Sequence, residues 1–155
     1  MSTTVSTPEG IRTALRAAMA AGMTGWSEST SNPLAPSYDA RDRALKSWAV
    51  GIVSTTFTDP RRRTVNNLAG DDGVQCTTTA VVRLLVRNTS DAQRAAFGAA
   101  LDAEALAFRA LAAWNPSGLG QMVLVGANRT TAGDDSAYMV EITLEVRHRY
   151  RLEAP

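Results

Sequence analysis

Apolar and polar positions alternate over their longest stretch near the end of the sequence. There Tyr138, Val140, Ile142, Leu144, Val146, His148, Tyr150 and Leu152 interleave with Met139, Glu141, Thr143, Glu145, Arg147, Arg149 and Arg151. A period of two sends the first set to one face of a strand and the second to the other. The run 138–152 is longer than the common strand of about five or six residues, so its end is expected to project beyond the sheet or to pair outside the domain. A second run, 74–87, sets Val74, Cys76, Ala80, Val82, Leu84 and Val86 against Gln75, Thr77, Thr79, Arg83 and Arg87. The β-branched stretch from Lys46 to Thr58 reads as a further strand, stopped by Asp59 and Pro60. Gln121 to Thr130 reads as another, and the polar turn Thr131 to Ser136 makes it a hairpin with the last strand.

Two segments carry the helical period instead. Thr7 suits an N-cap and Pro8 the first helical position, and Ile11, Leu15, Ala18, Met19 and Gly22 follow at helical spacing. This predicts a helix over about 8–23, punctuated by Gly22 and Gly25. Ser90 with Gln93 forms a capping box, and Phe97, Leu101, Ala105, Phe108, Leu111 and Ala112 trace an apolar stripe over 91–113, stopped by Asn115, Pro116 and Gly118. The stretch 26–42, with serines, Pro33 and Pro36, reads as an arm or extended loop. Residues 60–73 read as a long polar loop holding Arg61, Arg62 and Arg63, then Asp71 and Asp72.

The order helix, strand, strand, helix, strand, strand predicts one α+β domain over 1–155. Its expected form is an antiparallel sheet of four or more strands with both helices packed on one face. Leu15, Val82, Phe97, Phe108, Ile142 and Leu144 are expected in the core. At 155 residues a chain of this size buries roughly two-thirds of its unfolded surface, so no disulfide or metal staple is required.

Composition removes several classes of function. The formal net charge is +1, so bulk electrostatics draw the chain to no nucleic acid, membrane or acidic partner, and any such partner must meet a local patch. The first eight positions lack the basic and apolar regions of a signal peptide, and no run of about 18 apolar residues occurs, so no membrane partner is expected. Cys76 is the only cysteine and His148 the only histidine, which rules out an intramolecular disulfide and histidine-rich zinc sites.

His148 is in register with Val146 and Tyr150 and reads as a half-buried structural residue. Cys76, in register with Val74 and Ala80, reads as a small core hydrophobe. A nucleophilic Cys76–His148 pair would need the two strands to be neighbours and would lack substrate access if buried. Asp71-Asp72 and Asp134-Asp135 sit beside glycines, as solvated turns do, without the spacing of a calcium loop. Glu104 falls on the apolar stripe, where it pairs with an arginine, marks a subunit contact or snorkels. Trp48 and Trp114 suit core or interface anchors. No GxGxxG, GxxxxGK[ST] or GxSxG motif is present. No catalytic residue, cofactor or metal is expected, and the chain reads as no enzyme.

The whole pattern resembles the tail terminator, or tail completion, proteins of long-tailed bacteriophages. The likeness rests on a helix opening Pro8-Glu9-Gly10-Ile11-Arg12, a long hairpin with the tip Arg61-Arg62-Arg63, the capped helix from Ser90 to Ala113, and the final strand ending Val146-Arg147-His148-Arg149-Tyr150-Arg151-Leu152. It is a likeness of architecture over most of 7–153, without a signature motif, and it does not extend to 26–42. It implies a homo-oligomeric ring, usually of six subunits, at the head–tail junction of the virion and assembled in the host cytoplasm. Such a ring caps the tail tube, meets the tube protein and the head connector, and lets DNA pass without sequence preference. Arg61, Arg62, Arg63, Arg147, Arg149 and Arg151 would then face an assembly interface or the DNA channel. A head-closure or adaptor ring and a tail-tube subunit are the alternatives in the same particle. Two readings from other classes stay open: a ligand-binding or enzymatic α+β domain that dimerises through the last strand, and a small nucleic-acid-binding module using the arginine cluster.

Overall fold

A computed structural model describes residues 7–29, 34, 46–58, 64–69, 73–87, 93–113, 122–131 and 137–152. The elements are α1 (Pro8–Gly22), β1 (Ser27–Glu28), β2 (Lys46–Phe57), α2 (Val65–Leu68), β3 (Val74–Arg87), α3 (Gln93–Ala113), β4 (Met122–Thr131) and β5 (Ala137–Tyr150). The fold is α+β, built on an open five-stranded sheet in the order β1-β2-β3-β5-β4.

The centre of the sheet is the β3–β5 ladder, antiparallel and unbroken from Val74↔Tyr150 to Arg87↔Ala137. β2 and β4 flank it, also antiparallel, with register shifts at Ile52/Ser54 and Leu124/Gly126. The sheet is mixed, not purely antiparallel, because β1 pairs parallel to β2 through Ser27↔Ser47 and Glu28↔Trp48. The first residues of the expected arm therefore belong to the sheet. Two side-chain contacts hold them: Glu28 takes an ion pair from Arg16 of α1, and the Lys46 ammonium lies 5.8 Å from the Trp26 ring.

The last strand does not outrun β3, but its end from Arg147 to Tyr150 extends past β4. β3 is as long as β5, 14 residues each, so β5 is paired along its whole length on one side, and by β4 on the other from Tyr138 to Val146. The expected long loop after β2 contains the short helix α2, and its end is tied down where the Leu152 N–H donates to the Leu68 carbonyl at 2.8 Å. Gly73 starts β3 at φ 62°, and a Cβ there would stand 2.6 Å from the Tyr150 carbonyl oxygen, so only glycine fits. The Ser90 cap, Trp114, the 132–136 turn, both aspartate pairs and most of 26–42 lie outside the described residues.

α1 begins as its sequence dictates. The Thr7 side chain accepts from the Gly10 N–H at 3.1 Å, Pro8 occupies the first turn, and Ile11, Leu15 and Met19 are buried. These side chains form one core cluster with Trp48 and Val50 of β2, Ala80, Val82, Leu84 and Val86 of β3, and Val140, Ile142, Leu144 and Val146 of β5. α3 joins that cluster through a stripe different from the one the bulky residues suggested. Ala100, Ala103, Ala107, Ala110 and Leu111 are buried, whereas Phe97 is 45% and Leu101 39% exposed, and Phe108 is only partly buried.

The reason is closeness. A Cβ added to Gly22 would come 2.3 Å from the Ala110 Cβ, so the ends of α1 and α3 approach at a distance that only small residues permit, and the alanine face turns inward. Phe97 is displaced sideways onto Tyr138, ring centroids 5.4 Å apart and tilted by 60°. The opposite face carries a small cluster of Ala49, Leu85 and Ala137 with Met139.

This packing makes two glycines behave in opposite ways. Gly22→Val is expected to cost about 1–3 kcal/mol by overpacking the α1–α3 contact. Gly98 lies inside α3 with open space where a Cβ would go, so Gly98→Ala is expected to add roughly 0.5–1 kcal/mol. Chemical denaturation of the two variants reads both signs, and equal effects would contradict the close approach.

Candidate functional site

Three sets of residues bear on function, and the fold places them very differently. The first is the thiol and the imidazole. Cys76 and His148 are direct cross-strand partners in the β3–β5 ladder, and both point into the core side of the sheet, Cys76 1% and His148 4% exposed. His148 Nε2 lies 3.2 Å from Cys76 Sγ and 2.7 Å from Thr78 Oγ1. Thr78 Oγ1 in turn lies 3.0 Å from Thr55 Oγ1 on β2, so a polar chain crosses three strands. The Tyr150 ring stacks on the imidazole at 6.4 Å and meets Phe57 at 5.8 Å. His148 is therefore fully buried rather than half-buried.

The neighbour relation that a nucleophilic pair needs is present, but the electrostatics oppose the chemistry. Burial pushes the Cys76 thiol up to about 11, against a smaller opposing pull from the Tyr150 backbone. Burial also holds the imidazole below its ordinary value, with the Arg149 backbone opposing. Both groups thus stay neutral near pH 7, and a thiolate–imidazolium pair is disfavoured. Among the described residues His148 Nδ1 is buried without a hydrogen-bond partner, so no carboxylate orients the ring as a base. What the arrangement can do is fix the register of β2, β3 and β5 at the end of the sheet remote from the α1–α3 contact.

The second set is the arginines. Arg147 and Arg149 are exposed on the face of β5 opposite the core, cross-strand from Thr77 and Gln75. Thr77 pairs with Thr56, so the row Thr56, Thr77, Arg147 runs across β2, β3 and β5. Arg151 follows the end of the strand and is exposed. Arg61, Arg62 and Arg63 lie outside the described residues. Glu104 pairs with an arginine, taking both Nε and Nη2 of Arg129 at 2.7 and 2.8 Å.

The third set was not legible as a site: the apolar side chains left in solvent. Val53 on β2 is 53% exposed, and Leu124 and Val125 on β4 are 54% and 58% exposed. Each group sits at the register shift of an outer strand. Phe97 and Leu101 on α3 are exposed as well, and Phe97 lines a small cavity of about 90 Å³ with Arg129, Thr130 and Thr131 at the other end of β4 from Val125. In the sequence these residues look like ordinary strand and core positions. Only the strand order, which puts β2 and β4 outside, shows them as surface.

An open groove of about 530 Å³ also runs between the start of α1 and β2, bordered by Glu9, Arg12, Leu34, Ile52 and Tyr150. Its two charged groups are spent on each other, Arg12 donating twice to Glu9 at 2.8 Å. Among the described residues no group of three or more His, Cys, Asp or Glu side chains could hold a metal ion, and no helix is long and apolar enough to cross a membrane. No protein-family model matches the chain, and no curated protein matches it.

The buried imidazole sets the pH response. The folded state lowers the His148 pKa below the unfolded value of about 6.5, so the unfolded chain binds the proton first. This contribution to stability is complete above about pH 6.5 and is lost as pH falls from there toward the folded-state value. Thermal melting between pH 7 and 5 is expected to show a steeper decline for the wild type than for His148→Phe, which keeps the ring stack and cannot protonate. Parallel declines would contradict the assignment.

Proposed function

We propose that the protein is a structural subunit of a phage particle, a ring-forming tail terminator that caps the tail tube and joins the tail to the head connector. The observation that carries this reading is the placement of exposed apolar side chains on the two outer strands and on α3. Large apolar groups clustered in solvent mark surfaces that another protein covers, and a sheet with both sides available can take a neighbour on each. The single thiol and the single imidazole are both buried and neutral. The resemblance of the sequence pattern to tail terminators, from the helix opening at Pro8 to the long final strand, supports the head–tail junction as the place of assembly. A head-closure ring or a tube subunit would use the same surfaces.

In this reading Arg147 and Arg149 face the DNA channel and contact passing phosphates without reading sequence. Arg61, Arg62, Arg63 and Arg151 serve the same channel or the contact with the connector. The α1–β2 groove favours a second reading, a ligand-binding or enzymatic domain. That reading finds little support in the groove's polar groups, because Glu9 and Arg12 satisfy each other. Dimerisation through the last strand is unavailable to it along Tyr138–Val146, which β3 and β4 cover on both sides.

Deleting the gene from a phage that encodes the protein is expected to leave filled heads and unjoined tails of uneven length, with joining restored by the wild-type gene. An Arg147→Ser, Arg149→Ser variant is expected to restore joining and to give fewer infectious particles. Normal particles in the absence of the gene, counted by electron microscopy and plaque assay, would contradict the proposed function.

A further inference from the structure

Isolated sheets guard their edges with charge, proline or a covering element, because an open edge is a template for another strand. In this protein the charges stand on the wrong strands for that purpose. Arg83 and Arg87 are on β3 and Glu141 and Glu145 on β5, in the interior of the sheet, while Arg147 and Arg149 stand on the end of β5 that extends past β4. β2 carries no charge after Lys46, and β4 carries only Arg129, which turns to the core side and is held by Glu104. Neither strand contains proline. Among the described residues, β1 covers only Ser47 and Trp48 of β2, Leu34 borders the groove at Gly51 and Ile52, and no strand pairs with the outer side of β4. Both outer edges also have the same local form, a bulge bearing a valine more than half exposed, Val53 at 53% and Val125 at 58%.

We infer that these two edges are each other's partners: the outer edge of β4 in one subunit pairs with the Val53–Phe57 edge of β2 in the next. The inference rests on the ring reading and specifies its contact. Two different edges on opposite sides of one sheet make a heterologous contact, the kind that propagates and closes into a ring. Bulges supply the bend such closure needs, since they increase local twist and curve a sheet. The occupant is a second copy because the surfaces match in kind. Both are uncharged backbone edges bearing apolar groups, Leu124 and Val125 on one side, Val53 with Phe57 on the other. The net charge of +1 leaves little repulsion between copies.

The test uses two variants of the full chain, each altered only at positions on these edges: Leu124→Lys with Val125→Lys on β4, and Val53→Lys with Thr56→Lys on β2. Sedimentation velocity is expected to show the wild type associating and each variant alone as a monomer, with circular dichroism and melting temperature close to wild type. Mixed in equal amounts, the two variants are expected to form a dimer and nothing larger, because one intact β4 edge and one intact β2 edge remain. Either variant assembling like the wild type would overturn the inference, as would a mixture that stays monomeric. A β2 variant that dimerises alone would also overturn it, since β4 would then be pairing with itself. A wild type monomeric at its highest soluble concentration overturns the edge contact as well, while the ring reading at the head–tail junction is judged separately by the gene deletion.

Discussion

The unbroken pairing of β3 with β5 is the constraint on which everything else depends. Fourteen residues on each strand meet without a bulge, so a slip by one would send Val82, Leu84, Ile142 and Leu144 to the opposite face together. That register places Cys76 against His148 and Thr77 against Arg147, and so decides which polar groups are buried and which are offered to solvent. Arg83 of β3 and Glu141 of β5 are cross-strand partners and bond at 2.7 Å, a partly buried ion pair that favours the same register. Because the two longest strands are spent on each other, the outer strands are left to β2 and β4. The functional surfaces follow from that allocation.

Burial then sorts the chemistry. A thiol and an imidazole at hydrogen-bond distance would form a reactive pair in a cleft. In the core they are neutral and shielded, the thiol set against the imidazole and the imidazole bonded to Thr78, which bonds Thr55 in turn. The same two faces of one strand thus give opposite outcomes: the core face holds groups capable of reaction and silences them, and the other face holds arginines exposed to solvent.

The strands were readable because a period of two has few competing explanations over ten or more residues. β3 begins and ends where the alternation of 74–87 does, and α1 starts at the Thr7 and Pro8 signals that cap it. The α3 face was not readable. Phe97, Leu101 and Ala105 repeat at the same helical spacing as Ala103, Ala107 and Ala110, and the choice between the stripes is made by how near α1 comes, a tertiary fact located at Gly22 and Ala110. The parallel β1 strand escaped because two residues carry no period. The proximity of Cys76 and His148 was conceivable from their faces alone, but strand order, which brings them together, is written in neither strand. Strand order also hid the edge surface, because an exposed valine and a buried one look alike in a β-branched run.

In the proposed ring the interior strands serve stability and the outer strands serve neighbours. Amide hydrogen exchange on the wild type, compared between dilute and assembled protein, tests this division most directly. β3 and β5 are expected to exchange slowly in both states, and Val53–Phe57 and Met122–Thr131 to gain protection together on assembly. Protection that appears elsewhere while both outer strands exchange unchanged would contradict it.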